Sequence, residues 1–362
     1  MRGLAQFLSR LLGVIFKPDG SRFSIWVTRA GLAGLFVLGC VVWGSFLSWG
    51  AFQFDRHDWT QEGPRYAFLR QALLEGQLPL HIQSELAATE RFLAIPDVVT
   101  SPQVALLRWL EPAPFVLVNT LLLYAVGFVG LLLLRRRFGW SLFTFTLVFL
   151  LFSFNGNLTA HIGVGHSMWV SAFLLPFFAL LVLRLLEGKG GWRWVLWMAL
   201  LQAAIFAQGG FHFVIWCLMF LLLLAFFQRK QAGTLLLGIG FGVLLNLPRI
   251  LPPALEFASQ ERRFISGFFS VTDLLSGFVT LTYPPQALEG MHAALPWWEV
   301  DYYTGLVGAV FLLCFGVWLT WKNRASLPAL GYQALFGPLL LLALLSLGKF
   351  YEPFNRLPLP LM

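Results

Sequence analysis

Aspartate, histidine and arginine side chains are where this chain could do chemistry, and they come in compact groups. Asp55, Arg56, His57 and Asp58 form an unbroken polar run directly after the first hydrophobic segment. A carboxylate there can serve as general base for a hydroxyl brought within hydrogen-bond reach. His161 and His166 lie five apart on the loop expected before the apolar run 167–186. With His57 and Asp58 they permit a divalent metal site, because imidazole and carboxylate are common ligands, and they would equally serve as the polar lining of a cavity. Arg249 sits between Pro248 and Pro252, and the pair Arg262-Arg263 follows. Guanidinium groups suit bidentate phosphate recognition; lipid-headgroup contact, snorkelling of Arg249 or pairing with Glu261 would account for them too.

These residues must be positioned by membrane-embedded elements. Hydrophobic residues make up 58% of the chain and charged residues 12%, with a mean hydropathy of +0.74. A soluble domain carries roughly 25% charge, so most of this chain faces lipid or packs between helices. Its net charge of +8 is therefore no sign of a nucleic-acid partner. Cys40, Cys217 and Cys314 each lie in apolar runs and read as packing residues rather than a redox or metal pair.

Crossing the hydrocarbon core takes about 20 mostly apolar residues as a helix. On that basis the sequence predicts an all-α integral membrane protein with about nine spans, near 30–51, 114–134, 140–154, 167–186, 192–208, 211–227, 232–252, 303–321 and 327–347. The turn Gln208-Gly209-Gly210 would also allow 192–227 to be a re-entrant pair. Residues 1–29 carry Arg2, Arg10, Lys17, Arg22 and Arg29 against Asp19. They read as a basic amphipathic cytoplasmic arm rather than a cleavable signal. Residues 30–362 then form one multi-span domain with outer loops at about 52–113 and 253–302.

With the N-terminus in the cytoplasm, the inner connections Arg135-Arg136-Arg137, 187–193, 228–231 and 322–324 are all net basic. The first outer loop has five arginines against eight acids, so the positive-inside rule is met. The expected location is a plasma membrane, with the C-terminus and all six histidines (57, 81, 161, 166, 212 and 292) on the outer side. Within the first outer loop, Gly63-Pro64 precedes a stripe of Tyr66, Leu69, Leu73 and Leu74. A second start at Ser101-Pro102 would place Leu106, Trp109 and Leu110 on one face. Both predict amphipathic helices lying along the membrane surface. Trp297-Trp298 reads as an interfacial anchor.

The order of these features resembles a known family. The Asp-opened loop is followed by Tyr66–Leu80 (YAFLRQALLEGQLPL) and Ser101-Pro102-Gln103. Then come Gly165-His166 with Leu174-Leu175-Pro176, the Gln208–His212 run, Asn246–Pro252 continuing to Ser259–Arg262, and Tyr303–Leu306. This pattern is similar to the YfhO-like bacterial membrane proteins, within the GT-C class of polyprenyl-phosphate-dependent glycosyltransferases. The resemblance implies a GT-C-like fold and a polyprenyl-phosphate-linked sugar as donor. The acceptor would be a cell-envelope glycan or protein. It assigns the general base to Asp58, with Asp55 the close alternative. A leaving phosphate at the same face would call on Arg262, Arg263 and Arg249.

The chain departs from the family where His81–Ala88 replaces its Trp-Asn and Gly-Gly-containing segment. Family members also run on past a segment like Asn355–Met362, so a fragment or a reduced form is expected. A non-catalytic or degenerate membrane subunit is the main rival reading. A transporter or lipid flippase is disfavoured because the charges lie at span ends rather than near the midplane.

Overall fold

The computed structural model describes residues 2–17, 20–77, 98–256, 268, 270–281, 286–287, 294–295, 297–323 and 332–347. The chain begins with helix α1 (Arg2–Phe16) and continues into the first long apolar helix, α2 (Arg22–Phe46). Ser21 starts α2 by accepting the Ser24 N–H at 3.1 Å, which satisfies one of the donors every helix N-terminus leaves open. Helix α3 (Trp59–Leu74) and a 3-10 helix (Pro102–Arg108) follow in the first long loop. The chain re-enters as α4 (Pro112–Phe138), with proline at its first position and Arg135, Arg136 and Arg137 in its last turn, where the helix dipole favours cations.

Next come α5 (Leu142–Ser153), α6 (Gly156–Val164), a 3-10 stretch (Ser167–Leu174) leading into α7 (Leu175–Leu186), then α8 (Trp192–Ala207), α9 (Phe211–Phe227) and α10 (Ala232–Glu256). A short α11 (Val271–Ser276) precedes α12 (Gly305–Phe311), which continues through a π-helical segment into α13 (Thr320–Lys322). Helix α14 is Phe336–Leu345. Among the described residues the only paired strands are two-residue β1 (Gln286–Ala287) and β2 (Ala294–Leu295), which run antiparallel.

Among the described residues, six helical stretches are long and apolar enough to cross a membrane: α2, α4, α5 with α6, the 3-10 segment with α7, α10, and α12 through α13; α8, α9 and the α14 region are shorter apolar helices. The architecture is that of a multi-pass, all-helical membrane protein. Helices α8 and α9, at 16 and 17 residues, extend only about 24–26 Å at 1.5 Å per residue. The core between the helices is largely aromatic. Trp43, Tyr124 and Phe149 are all fully buried, with Phe173 at 1% exposure. The Phe173 ring meets Trp43 and Tyr124 edge-on, each at 5.8 Å. Such packing suits a bilayer, where apolar area alone does not drive helices together.

The connecting segments segregate to two ends. At one end Arg137 pairs with Glu187, Glu187 also takes Lys189 at 3.0 Å, and Arg137 reaches the Tyr332 hydroxyl at 3.5 Å. These contacts tie together the segments after α4, after α7 and before α14. The opposite end is joined by Asp58 N–H to the Val164 carbonyl at 2.9 Å and Gly156 N–H to the Tyr303 carbonyl at 2.7 Å.

Three expectations for the loops are corrected. Helix α3 begins at Trp59, before Gly63-Pro64, and carries Pro64 inside it. Half of its stripe faces protein: Tyr66 and Leu69 are buried, and Tyr66 packs edge-on to Phe115 at 5.5 Å, while Leu74 is 43% exposed. The segment after Ser101 is 3-10 rather than α-helical, so its repeat is three. Val104 and Leu107 are therefore the inward residues, while Trp109 is 70% exposed. Finally, His161 lies in α6 and not in a loop.

Candidate functional site

The second of these ends brings together Asp58, His161, His166 and Glu299. The corner after α2 turns at His57, whose φ of 44° lies in the left-handed region that histidine tolerates better than most side chains. The His57 carbonyl accepts the Thr60 N–H at 3.1 Å and the Thr60 hydroxyl at 2.7 Å. Asp58 therefore enters α3 in a fixed place, held from the far side by the Val164 carbonyl. Gly165, at φ 106°, allows this approach: a Cβ there would lie 2.7 Å from the Asp58 carbonyl carbon. No larger residue fits that backbone against this neighbour.

The approach sets Asp58 Oδ2 2.9 Å from His166 Nε2. His166 Nδ1 in turn lies 2.6 Å from His161 Nδ1. If both rings are neutral, both contacts are satisfied with His166 donating from Nε2 to the carboxylate and accepting at Nδ1. The His161 side chain is buried, and its ring stacks on Trp169 at 3.8 Å between centroids and 17° between planes. Trp169 donates its indole N–H to Asn157 Oδ1 at 3.0 Å and packs 5.3 Å from the His212 ring. The chain after His166 is anchored by the Tyr66 hydroxyl, which bonds the Ser167 hydroxyl at 2.9 Å.

A segment distant in sequence closes the cluster. One ring nitrogen from each of His161 and His166 and one carboxylate oxygen of Glu299 lie within 4.8 Å of one another. The two residues that follow are buried, Val300 on Phe268 and Asp301 beside Gly156 of α6. Asp301 is 5% exposed and accepts the Tyr303 N–H at 2.8 Å, beside a Gly156 whose lack of a side chain leaves room for its carboxylate. Arg249 is also buried, with its guanidinium 5.6 Å over the ring of Phe211, the neighbour of His212.

The electrostatics follow from crowding. Burial pulls His166 below its ordinary range, and the Asp58 carboxylate partly opposes it. Glu299 is exposed as a residue, yet the protein around its carboxyl raises its pKa first; a Trp298 hydrogen bond opposes this and the Asp58 charge adds to it. Asp301 is raised by burial, against the Tyr303 hydrogen bond. The result is a half-exposed carboxylate on Asp58, oriented by one imidazole that is backed by a second. Such an arrangement can take a proton from a hydroxyl or, with Glu299, hold a cation.

Of the residues singled out by sequence, Asp58, His161 and His166 come together. His57 stands at the rim, edge-on to Trp298 at 5.1 Å. Asp55 is exposed and lies 3.9 Å from Arg56. Arg249 approaches from α10, and Arg262 and Arg263 lie outside the described residues. Glu299, Trp169 and Asn157 were not anticipated. For Glu299 a signal existed: two acids interrupt the aromatic run Trp297–Asp301 that otherwise reads as a membrane anchor. Trp169 carried none.

The fold and this cluster together define a class: a multi-pass helical membrane protein with a histidine–carboxylate cluster at one end of its bundle. No protein-family model matches the chain, and neither a curated protein nor a solved structure shows significant similarity to it.

Proposed function

We propose that the chain is a membrane glycosyltransferase of the GT-C type, moving a sugar from a polyprenyl-phosphate donor to an acceptor hydroxyl at the outer face of a bacterial plasma membrane. The observation that carries this reading is the half-exposed Asp58 carboxylate, fixed by His166 at the loop end of an apolar bundle. In the reaction the acceptor oxygen bonds the anomeric carbon as the bond from that carbon to the phosphate oxygen breaks. The acceptor proton passes to Asp58, and the polyprenyl phosphate leaves with the electron pair. Arg249, near the same end through Phe211, is suited to the charge that develops on the leaving phosphate; Arg262 and Arg263 are proposed for the same role. The lipid tail of the donor stays in the bilayer, which accounts for placing this chemistry on a membrane domain.

The amides inside the bundle do not favour a transport path. Asn246 donates to the Gly242 carbonyl at 2.8 Å, Gln202 to the Gly238 carbonyl at 3.4 Å and Asn119 to the Gln208 side chain at 3.2 Å. They serve helix packing.

The test is sugar transfer by purified protein in lipid, with a polyprenyl-phosphate sugar and membrane acceptors. Asp58→Asn should lower transfer by about 100-fold or more, in line with removal of a general base, while Asp55→Asn keeps it. Full transfer by both variants would overturn the assignment of the base.

A further inference from the structure

We propose that His161, His166 and Glu299 form a binding site for a single divalent transition-metal ion, with Asp58 orienting His166 from behind. The inference stands on the geometry of the cluster alone and does not depend on the glycosyltransferase reading.

The three donors come from two segments far apart in the chain, α6 with its exit and the run before α12, yet their ligand atoms lie within 4.8 Å of one another. Two imidazole nitrogens face each other at 2.6 Å. The proton between them is the smallest cation that can hold such a pair together. A metal ion is the other occupant those lone pairs accept, once His161 carries its proton on the far nitrogen. Zinc-type bonds of about 2.0–2.2 Å place neighbouring tetrahedral donors roughly 3.3–3.6 Å apart. The imidazole pair must therefore open by under about an ångström, and the Glu299 oxygen must close by up to roughly 1.2–1.5 Å from the 4.8 Å limit. Glu299 is exposed at the end of a three-residue 3-10 turn (Trp297–Glu299), so its side-chain torsions can supply that motion.

The surroundings are those a metal-ligating histidine requires. Such a ligand almost always donates its second ring N–H to a carboxylate, which fixes tautomer and orientation. His166 Nε2 lies 2.9 Å from Asp58 Oδ2. The His161 ring is held by its stack on Trp169, itself fixed by Asn157. Two imidazoles and one carboxylate select first-row transition ions such as Zn²⁺ or Co²⁺ over Mg²⁺ and Ca²⁺, which prefer all-oxygen shells. Three protein donors with an exposed third leave a coordination position open on the water side, as in catalytic rather than structural sites.

The experiment uses the full chain in detergent, with any affinity tag removed and metals stripped by a chelator. Co²⁺ is titrated while visible absorption and bound metal are followed. We expect one Co²⁺ per chain, displaced by Zn²⁺ and not by a hundredfold excess of Mg²⁺. Glu299→Gln and His166→Gln should each weaken Co²⁺ binding at least about tenfold, and Asp58→Asn by about 10- to 100-fold. His57→Gln at the rim should bind as the parent does. Because His161 is buried and its replacement can unfold α6, the exposed Glu299→Gln variant decides the matter. A folded parent that retains no Co²⁺, Glu299→Gln binding at parental strength, or equal competition by Mg²⁺ would each overturn the proposal. Sugar transfer forms no part of this readout, so its outcome is separate from that of the proposed activity.

Discussion

Gly165 is the residue on which the site's assembly turns. It combines a left-handed backbone with direct contact on the Asp58–Trp59 peptide. Gly165→Ala is expected to cost about 1–2 kcal/mol for the backbone conformation alone, plus the displacement of Asp58. The measurable result is a lower melting temperature together with lost sugar transfer; unchanged values for both would show that the close approach is dispensable. At this scale the sequence was informative about residue types. Asp58, His161 and His166 could be singled out because ionisable groups are costly in so apolar a chain. What it could not convey was that His161 and His166 meet ring to ring, because that depends on the left-handed exit of α6. Nor could it separate Asp58 from Asp55 physically. Only the fold does so, turning one toward His166 and leaving the other beside Arg56.

Helix α6 shows what was and was not legible among the elements. The long spans follow from hydropathy, since lipid forces each to satisfy its own backbone as a helix. Residues 156–164 are too few to span by themselves and follow the polar Asn155, so the pattern read them as loop after the run 140–154. Their helix is set by its ends instead: Asn155 accepts the Leu158 N–H at 2.9 Å, and both ends bond distant segments. Asn155→Ala should cost about 1 kcal/mol, seen as a small drop in melting temperature; no drop would mean that the tertiary ties alone shape the helix. The opposite end offers a pH test. Glu187 is held below its ordinary range, first by the Lys189 hydrogen bond and then, against burial, by Arg137. A depressed carboxyl stabilises the fold fully above its unfolded pKa and loses that stabilisation as pH falls through the lower folded value. Thermal stability should therefore decline on acidification below about pH 4.5, less steeply in Glu187→Gln. Equal slopes would show that this contact does not contribute.

Across the whole molecule, the described connections form two groups, one around Arg137, Glu187 and Lys189 and one around Asp58, Val164, Gly156 and Tyr303; the charge pattern predicts that the first faces the cytoplasm. In a background lacking native cysteines, Thr60→Cys should react with an impermeant maleimide on intact cells, and Lys189→Cys only after permeabilisation. The reverse pattern would invert the proposed orientation and place the cluster on the cytoplasmic side. The Gly156–Tyr303 bond adds a temporal consequence. Tyr66 and Ser167, 101 residues apart, can meet once α6 and the segment after it have been made, but Glu299 and Tyr303 are synthesised much later. At roughly 5–20 residues per second, a nascent chain holds Asp58 and the paired histidines without the Glu299 carboxylate for on the order of ten seconds. The cluster is thus built in two instalments, and a protein under synthesis cannot assemble His161, His166 and Glu299 until most of its spans have left the ribosome.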